Sequence, residues 1–155
     1  PTVVNNQPYA TSKKTLFNKI VGDSNLELRF AHFLDKAADV QAFAKNTRAV
    51  GFFIEYVNSS GEISHYYPDF LVRDKEGVVW VVETKGLEDL DVIRKWKRLV
   101  LWCADATSAA DSTTTYRPLF VTEEAFNDIE KKVSTFAGLA EVLADAAPTT
   151  PEQAV

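Results

Sequence analysis

The sequence predicts a mixed α/β domain in which helices pack on both faces of a central sheet. Short strand-like runs alternate with segments of helical period, and turn clusters rich in Asn, Asp, Ser and Gly separate them. One run, VVWVVETK (78–85), is apolar on both of its faces. A strand of that kind is covered on both sides, so we expect it at the centre of the sheet.

The first third of the chain predicts one helix and one strand. In residues 1–22 the apolar residues do not recur at a regular spacing, so we expect a loose lead-in, with a short helix over 15–21 as an alternative. Asp23-Ser24-Asn25 is a helix start, and apolar residues then recur at helical spacing, which predicts a helix over 24–37. VQAFAKN (40–46) predicts a short strand.

A hairpin follows. GFFIEYV (51–57) and EISHYYPDFLVR (62–73) are separated by the turn cluster NSSG (58–61), and a second turn, DKEG (74–77), leads into the apolar strand 78–85. The turn chemistry therefore predicts antiparallel pairing of these strands.

Helices and one more strand complete the pattern. Apolar residues from Leu87 to Leu101 follow a helical period, which predicts an amphipathic helix that ends near Ala104. YRPLFV (116–121) predicts a strand, and Thr122 starts a helix to about Lys132. A last helical stretch is expected over 135–146.

The composition excludes several classes of protein. The chain has 155 residues, of which 46% are apolar and 25% charged, as in an ordinary globular domain. It has no apolar stretch of membrane-spanning length and no phosphate-binding glycine loop. Its one cysteine, Cys103, excludes an internal disulfide and is expected to be an inert buried thiol in a reducing cytoplasm. The chain contains no methionine and starts at Pro1, which suggests a processed start or a piece of a larger polypeptide.

The charge is unevenly distributed. The formal net charge is −5, and residues 123–155 hold seven acidic and two basic residues, so residues 1–122 are neutral. Within that neutral part, Arg94, Lys95, Lys97 and Arg98 form a basic run that permits phosphate binding. A solvated helix face is the alternative, and it explains the run better when the run is taken alone.

Three ionisable residues lie in strands whose other residues predict burial, where a charged side chain is unfavourable. Asp69 interrupts a strand-like stretch, and Glu83 and Lys85 end the most apolar strand. A lone buried carboxylate is costly, so such groups reach solvent or hold a cation. A solvated hairpin end is the alternative for the acids, and an ordinary strand-end lysine is the alternative for Lys85. Pro68 cannot donate to a sheet ladder, so the pairing is expected to slip beside Asp69.

A glycine turn decides whether these side chains meet. If Gly77 takes the left-handed position of a three-residue hairpin loop, Asp69 falls opposite Glu83 and Tyr67 falls opposite Lys85. Paired side chains share a face, with their Cβ atoms about 5 Å apart. The two carboxylates and the ammonium group of the lysine are therefore expected to converge.

Two carboxylates at that separation repel each other unless a divalent cation lies between them. Oxygen ligands without histidine or thiolate favour Mg²⁺, with Mn²⁺ as a substitute. A metal ion held in this way polarises a phosphate and lowers the pKa of a bound water, while the lysine stabilises charge on the phosphate oxygens. The predicted chemistry is phosphodiester hydrolysis.

The same residues resemble a known signature. Tyr67-Pro68-Asp69, a hairpin, and Glu83-Thr84-Lys85 resemble the PD-(D/E)xK nuclease superfamily. Together with Trp102 and Cys103, the wider context comprises SNLELRFAHFL (24–34), FAKN (43–46), YYPDFLV (66–72) and VVWVVETKG (78–86). Over about residues 12–122 it resembles the C-terminal endonuclease domain of type III restriction enzyme Res subunits and related helicase–nucleases.

The resemblance implies a restriction-endonuclease-like αβββαβ core with a central mixed sheet flanked by helices. We expect this nuclease domain over 23–134, between an N-terminal lead-in (1–22) and a C-terminal helix with a frayed tail (135–155).

The resemblance also implies roles for individual residues. Asp69 and Glu83 would bind the metal ion, the carbonyl of Thr84 would add a ligand, and Lys85 would be the catalytic lysine. Glu27 would be an additional acid that helps to hold metal or water.

Several of these assignments have alternatives. Glu27 also completes a capping box with Ser24, in which its side chain reaches back to a backbone amide. Further candidates for contact with DNA are Lys45, Asn46, Tyr67, Arg94 and Lys97. A turn role is the alternative for Asn46, and core packing is the alternative for Tyr67.

The implied function is Mg²⁺-dependent cleavage of double-stranded DNA, with 5′-phosphate and 3′-hydroxyl products. The domain would be the cleavage module of a larger ATP-dependent restriction enzyme or helicase–nuclease, with a helicase or translocase as its partner and no membrane association. A homodimer is an alternative, since cutting both strands needs two active sites. A non-catalytic DNA- or partner-binding module of the same fold, or a nuclease for RNA or branched DNA, are alternative functions.

Overall fold

A computed structural model gives the fold and describes residues 8–15, 17, 19–84, 91–144 and 148. Its elements, in chain order, are β1 (Tyr9–Thr11), β2 (Lys19–Val21), α1 (Asn25–Lys36), β3 (Val40–Lys45), β4 (Ile54–Val57), β5 (Ile63–Tyr66), β6 (Phe70–Asp74), β7 (Val79–Thr84), α2 (Val92–Ser108), β8 (Tyr116–Val121), α3 (Glu123–Ile129) and α4 (Phe136–Leu143). Within the described residues, every helix is too short or too polar to cross a membrane.

The central sheet has four strands in the order β3-β6-β7-β8. β6 is antiparallel to β3 and to β7, whereas β7 and β8 are parallel and α2 lies between them in the chain. A parallel pair needs such a crossover, usually a helix. The sheet is therefore mixed, as the sequence predicts, and β7 is an inner strand.

The two faces of the sheet bury different apolar clusters. On one face, Val82 belongs to a core that includes Phe30 of α1 and residues of α3 and α4. On the other face, Val81 belongs to a cluster that includes Leu99 of α2 and Tyr66 of the β4–β5 hairpin. Neighbouring residues of a strand point to opposite faces, so β7 is covered on both sides. This confirms the prediction made from its apolar residues.

The turn between β6 and β7 sets their register. Gly77 has φ of 86°, and the Asp74 amide donates to the Val78 carbonyl at 3.0 Å. The ladder then runs without a shift from Arg73↔Val79 to Phe70↔Val82. This confirms the predicted three-residue loop with its glycine in the left-handed region.

Three local predictions are wrong. Lys19–Val21 is a strand paired with Tyr9–Thr11, so the alternative of a short helix over 15–21 is wrong. The stretch 62–73 is two strands, because the chain leaves the hairpin after Tyr66 and enters the central sheet at Phe70. α2 runs to Ser108, beyond the predicted end, because Thr107 in its last turn bonds through Oγ1 with the Tyr116 backbone. The predicted helix start at Leu87 lies outside the described residues.

Candidate active site

The candidate residues collect at the end of the central sheet that lies away from the Gly77 turn. Asp69 immediately precedes β6, and Glu83 and Thr84 end β7. Lys45 ends the neighbouring strand β3 and pairs with Phe70. Helix α1 adds Glu27 from its first turn. Four elements thus contribute polar side chains to one place.

Asp69 sits at a break in the strand pairing. Its amide donates to the Val82 carbonyl at 2.9 Å, whereas the regular ladder ends at Phe70↔Val82. The register therefore slips by one residue beside Pro68, as the missing amide of that proline predicts. The predicted pairing of Asp69 with Glu83 is therefore not formed. The Asp69 carboxylate lies at Thr84 instead, whose amide and hydroxyl donate to Oδ2 at 2.8 and 2.7 Å.

Glu83 is buried on the α2 face, next to a tyrosine. The Glu83 residue is 4% exposed, and the Tyr66 hydroxyl donates to its Oε2 at 2.8 Å. Burial, and then the negative charges of Glu83 and Asp69, raise the pKa of Tyr66 well above its ordinary value. The tyrosine therefore keeps its proton and remains a donor to Glu83, and both carboxylates lie close enough to act on it.

Lys45 lies close to two acids at the same end of the sheet. Its Nζ lies 3.0 Å from Oε2 of Glu27 and 3.5 Å from Oδ1 of Asp69, and the lysine is 6% exposed. Burial lowers the pKa of Lys45, but the charges of Asp69 and Glu27 outweigh it and the net shift is upward. Lys45 is therefore charged and serves as the counter-ion of both acids.

Glu27 performs two tasks at once. Ser24 Oγ accepts from the Glu27 amide at 3.2 Å, and Glu27 Oε2 accepts from the Asp23 amide at 2.8 Å. The capping role is therefore present, although the carboxylate reaches the residue before the N-cap. The same oxygen faces Lys45. Burial raises the pKa of Glu27 even though the Lys45 charge lowers it.

Comparison with known families identifies the chain. The model of a family described as "Endonuclease domain" matches residues 13–122. The chain belongs to this endonuclease family. Membership indicates a nuclease that binds nucleic acid, which confirms the restriction-endonuclease-like interpretation at that level. No curated protein and no solved structure matches the chain.

The predicted DNA contacts of the endonuclease domain lie in different settings. Asn46 is buried, and its amide nitrogen donates to the carbonyls of Phe52 and Pro68 at 2.8 Å each, so its side chain joins two backbone segments next to the site. Tyr67 is half-buried, 5.8 Å from the Phe53 ring centroid.

The basic run lies on α2 of the endonuclease domain. Arg94 and Lys97 are exposed there, which is compatible with phosphate contact. Lys95, from the same run, is half-buried and lines a crevice with Tyr66 and Glu83. Of the three, Lys95 is therefore the one that lies beside Glu83, a position that the sequence does not reveal.

Other predicted residues are placed as follows. Lys85 lies outside the described residues, so its role stays a prediction. Thr84 contacts Asp69 through its side chain, a contribution absent from the sequence interpretation, which considered its carbonyl alone. Cys103 is buried, as the sequence predicts, and burial raises the pKa of its thiol to about 12, which favours the inert role expected for it.

Asp69 and Glu83 of the endonuclease domain are oxygen donors, the type of ligand that a hard divalent cation takes. Mg²⁺ is held by one or two carboxylates and keeps several waters, and Asp69 and Glu83 supply two carboxylates. The Lys45 ammonium between Asp69 and Glu27 shows that these acids already hold a cation. Among the described residues no group of three or more His, Cys, Asp or Glu side chains is arranged to hold a metal ion. The predicted trio of Asp69, Glu83 and Glu27 is therefore not assembled as such a group.

Proposed function

We propose that the chain is a Mg²⁺-dependent DNA endonuclease domain that hydrolyses phosphodiester bonds. The observation that carries the proposal is the fixed Asp69 carboxylate, bound by Thr84 beside the buried Glu83, in a member of an endonuclease family. Two acids whose orientation is set before substrate arrives are suited to holding a divalent ion.

The residues of the chain divide the work. A bound Mg²⁺ would polarise the phosphate and lower the pKa of an attacking water. Asp69 and Glu83 hold the ion, Thr84 orients Asp69, and Tyr66 orients Glu83. Lys85, one residue after Thr84, stabilises the charge that builds on the phosphate oxygens.

The proposed context is a larger enzyme. The resemblance to type III Res subunits supports a cleavage module of an ATP-dependent restriction enzyme or helicase–nuclease, acting on double-stranded DNA in the cytoplasm. Hydrolysis leaves a 5′-phosphate and a 3′-hydroxyl, and two copies of the domain, or repeated nicking, cut both strands.

Nicking of supercoiled plasmid tests the proposal. The wild-type chain with Mg²⁺ should convert plasmid to the open-circular form, and EDTA should stop the conversion. Asp69→Asn and Lys85→Ala should lower the rate at least 100-fold, because each removes a group proposed to act in the transition state. Asp128→Asn, at an exposed position of α3, is the matched control and should keep the wild-type rate.

The outcomes separate the alternatives. Binding of DNA with equal, background nicking by all variants would favour a non-catalytic module and overturn the proposal. Metal-dependent cleavage of RNA or branched substrates, with linear duplex and plasmid left intact, would replace the proposed substrate while keeping the chemistry.

A further inference from the structure

The position of the buried Lys45 indicates how many metal ions the site can bind. This inference rests on the proposed metal-dependent hydrolysis. Lys45 is held at the end of β3 by its pairing with Phe70. Its Nζ lies 3.0 Å from Glu27 Oε2, 3.5 Å from Asp69 Oδ1 and 3.8 Å from Asp23 Oδ2. An ammonium group has three N–H donors, and three carboxylates surround this one.

This ammonium lies where a metal ion bridging Glu27 and Asp69 would lie. Such an ion would sit roughly 2 Å from an oxygen of each carboxylate. Lys45 Nζ already occupies the space between those oxygens. Two cations that close repel each other strongly where water is largely excluded, so the ion and the ammonium cannot share this position.

The acceptor sites of Asp69 also indicate a single metal ion. A carboxylate has about four acceptor sites. Thr84 uses two of them, both on Oδ2, through its amide and hydroxyl, and the Lys45 ammonium faces the other oxygen, Oδ1, at 3.5 Å. A carboxylate that bridges two ions needs both of its oxygens, whereas one ion needs only one of them.

We infer that Lys45 stands in the place of a second metal ion, so that the endonuclease domain works with one divalent ion, held by Asp69 and Glu83. Lys45 is then a positioning residue that acts through Asp69, rather than the DNA contact that the sequence suggests. Glu27 acts on Asp69 through Lys45 and does not bind the ion itself.

Counting bound Mn²⁺ tests the inference without measuring cleavage. The 155-residue chain is titrated with Mn²⁺, and the free ion is measured from its electron paramagnetic resonance signal. Wild type should bind one ion per chain. Lys45→Met removes the charge but keeps a long side chain, and should bind two ions. Lys45→Arg keeps the charge and should bind one. Lys14→Met is the matched control, since Lys14 Nζ bonds to the Leu34 and Ala37 carbonyls outside the site.

A double variant identifies where the second ion binds. If the vacated position is the one between Glu27 and Asp69, adding Glu27→Gln to Lys45→Met should return the count to one. Circular dichroism establishes that each variant is folded. Should Lys45→Met not fold, the counts for wild type and Lys45→Arg still decide.

Each count has a defined meaning. Two ions in wild type or in Lys45→Arg would overturn the inference and leave the proposed function intact. One ion in a folded Lys45→Met would also overturn it. No bound ion in wild type would instead refute the metal dependence on which the proposed function rests.

Discussion

Replacing Tyr66 with phenylalanine should lower the free energy of unfolding by about 2 kcal/mol, because it removes a donor from a buried carboxylate. The Tyr66 hydroxyl donates to Glu83 at 2.8 Å, and the residues are 3% and 4% exposed. A hydrogen bond to a charged group contributes roughly 1.5–3 kcal/mol. Phenylalanine keeps the ring in the α2-side cluster, so the loss reports on the hydroxyl rather than on packing.

Urea unfolding at pH 8 measures this loss, and a thermal melt gives an independent value. For a domain of this size, about 2 kcal/mol corresponds to a fall in Tm of about 4–8 °C. Tyr9→Phe is the control, because Tyr9 is 48% exposed on β1, and its change should stay below about 0.5 kcal/mol.

The pH dependence supplies a second test of the same contact. Burial and the Glu83 charge raise the pKa of Tyr66 in the folded protein, whereas an unfolded tyrosine titrates near pH 10. Stability from the protonated hydroxyl is therefore complete below pH 10 and is lost above it, by up to about 1.4 kcal/mol per pH unit. The difference between wild type and Tyr66→Phe should narrow above pH 10. A constant difference from pH 8 to 11, or a loss below about 0.5 kcal/mol at pH 8, would refute the reasoning.

Urea unfolding of two further variants tests the residues that hold the backbone around the site. Asn46→Ala should destabilise by about 2–3 kcal/mol, because it leaves the buried Pro68 carbonyl and the part-buried Phe52 carbonyl without their donor. Asn127→Ala, at an exposed position, should cost less than about 0.5 kcal/mol, and equal losses for the two variants would contradict this role of Asn46. Gly77→Ala should cost about 1 kcal/mol from the backbone alone, since a Cβ there meets nothing within 4 Å. Gly77→Asn should cost less, because asparagine tolerates the left-handed region, and equal losses would show that the backbone is not the cause.

Turn and helix-capping residues made much of the fold predictable from the sequence. The DKEG turn fixed the β6–β7 register, because a glycine with positive φ selects one loop type. Ser24, Thr122 and Thr135 each accept from a backbone amide in the first turn of a helix, as residues at those starts should. β1 and β2 were missed because each has three residues, too few for alternation to appear.

The contacts inside the site were less accessible from the sequence. Lys45 ends a strand, and only the packing of α1 against the sheet brings Glu27 to it. Tyr66 reaches Glu83 because the β4–β5 hairpin leaves the central sheet, whereas the sequence suggested one continuous strand through Tyr67. Both contacts join distant segments of the chain, which neither periodicity nor turn chemistry encodes.

The parallel pairing of β7 with β8 has a consequence for synthesis of the protein. Glu83 and Thr84 lie opposite Phe120 and Val121 in that ladder, so the strand carrying them becomes an inner strand only after the later segment arrives. On the ribosome, the residues that contact Asp69 and Glu83 through their side chains therefore emerge before β8 does. A nascent polypeptide that ends before Tyr116 contains both acids, but the strand that carries Glu83 is still at the edge of the sheet.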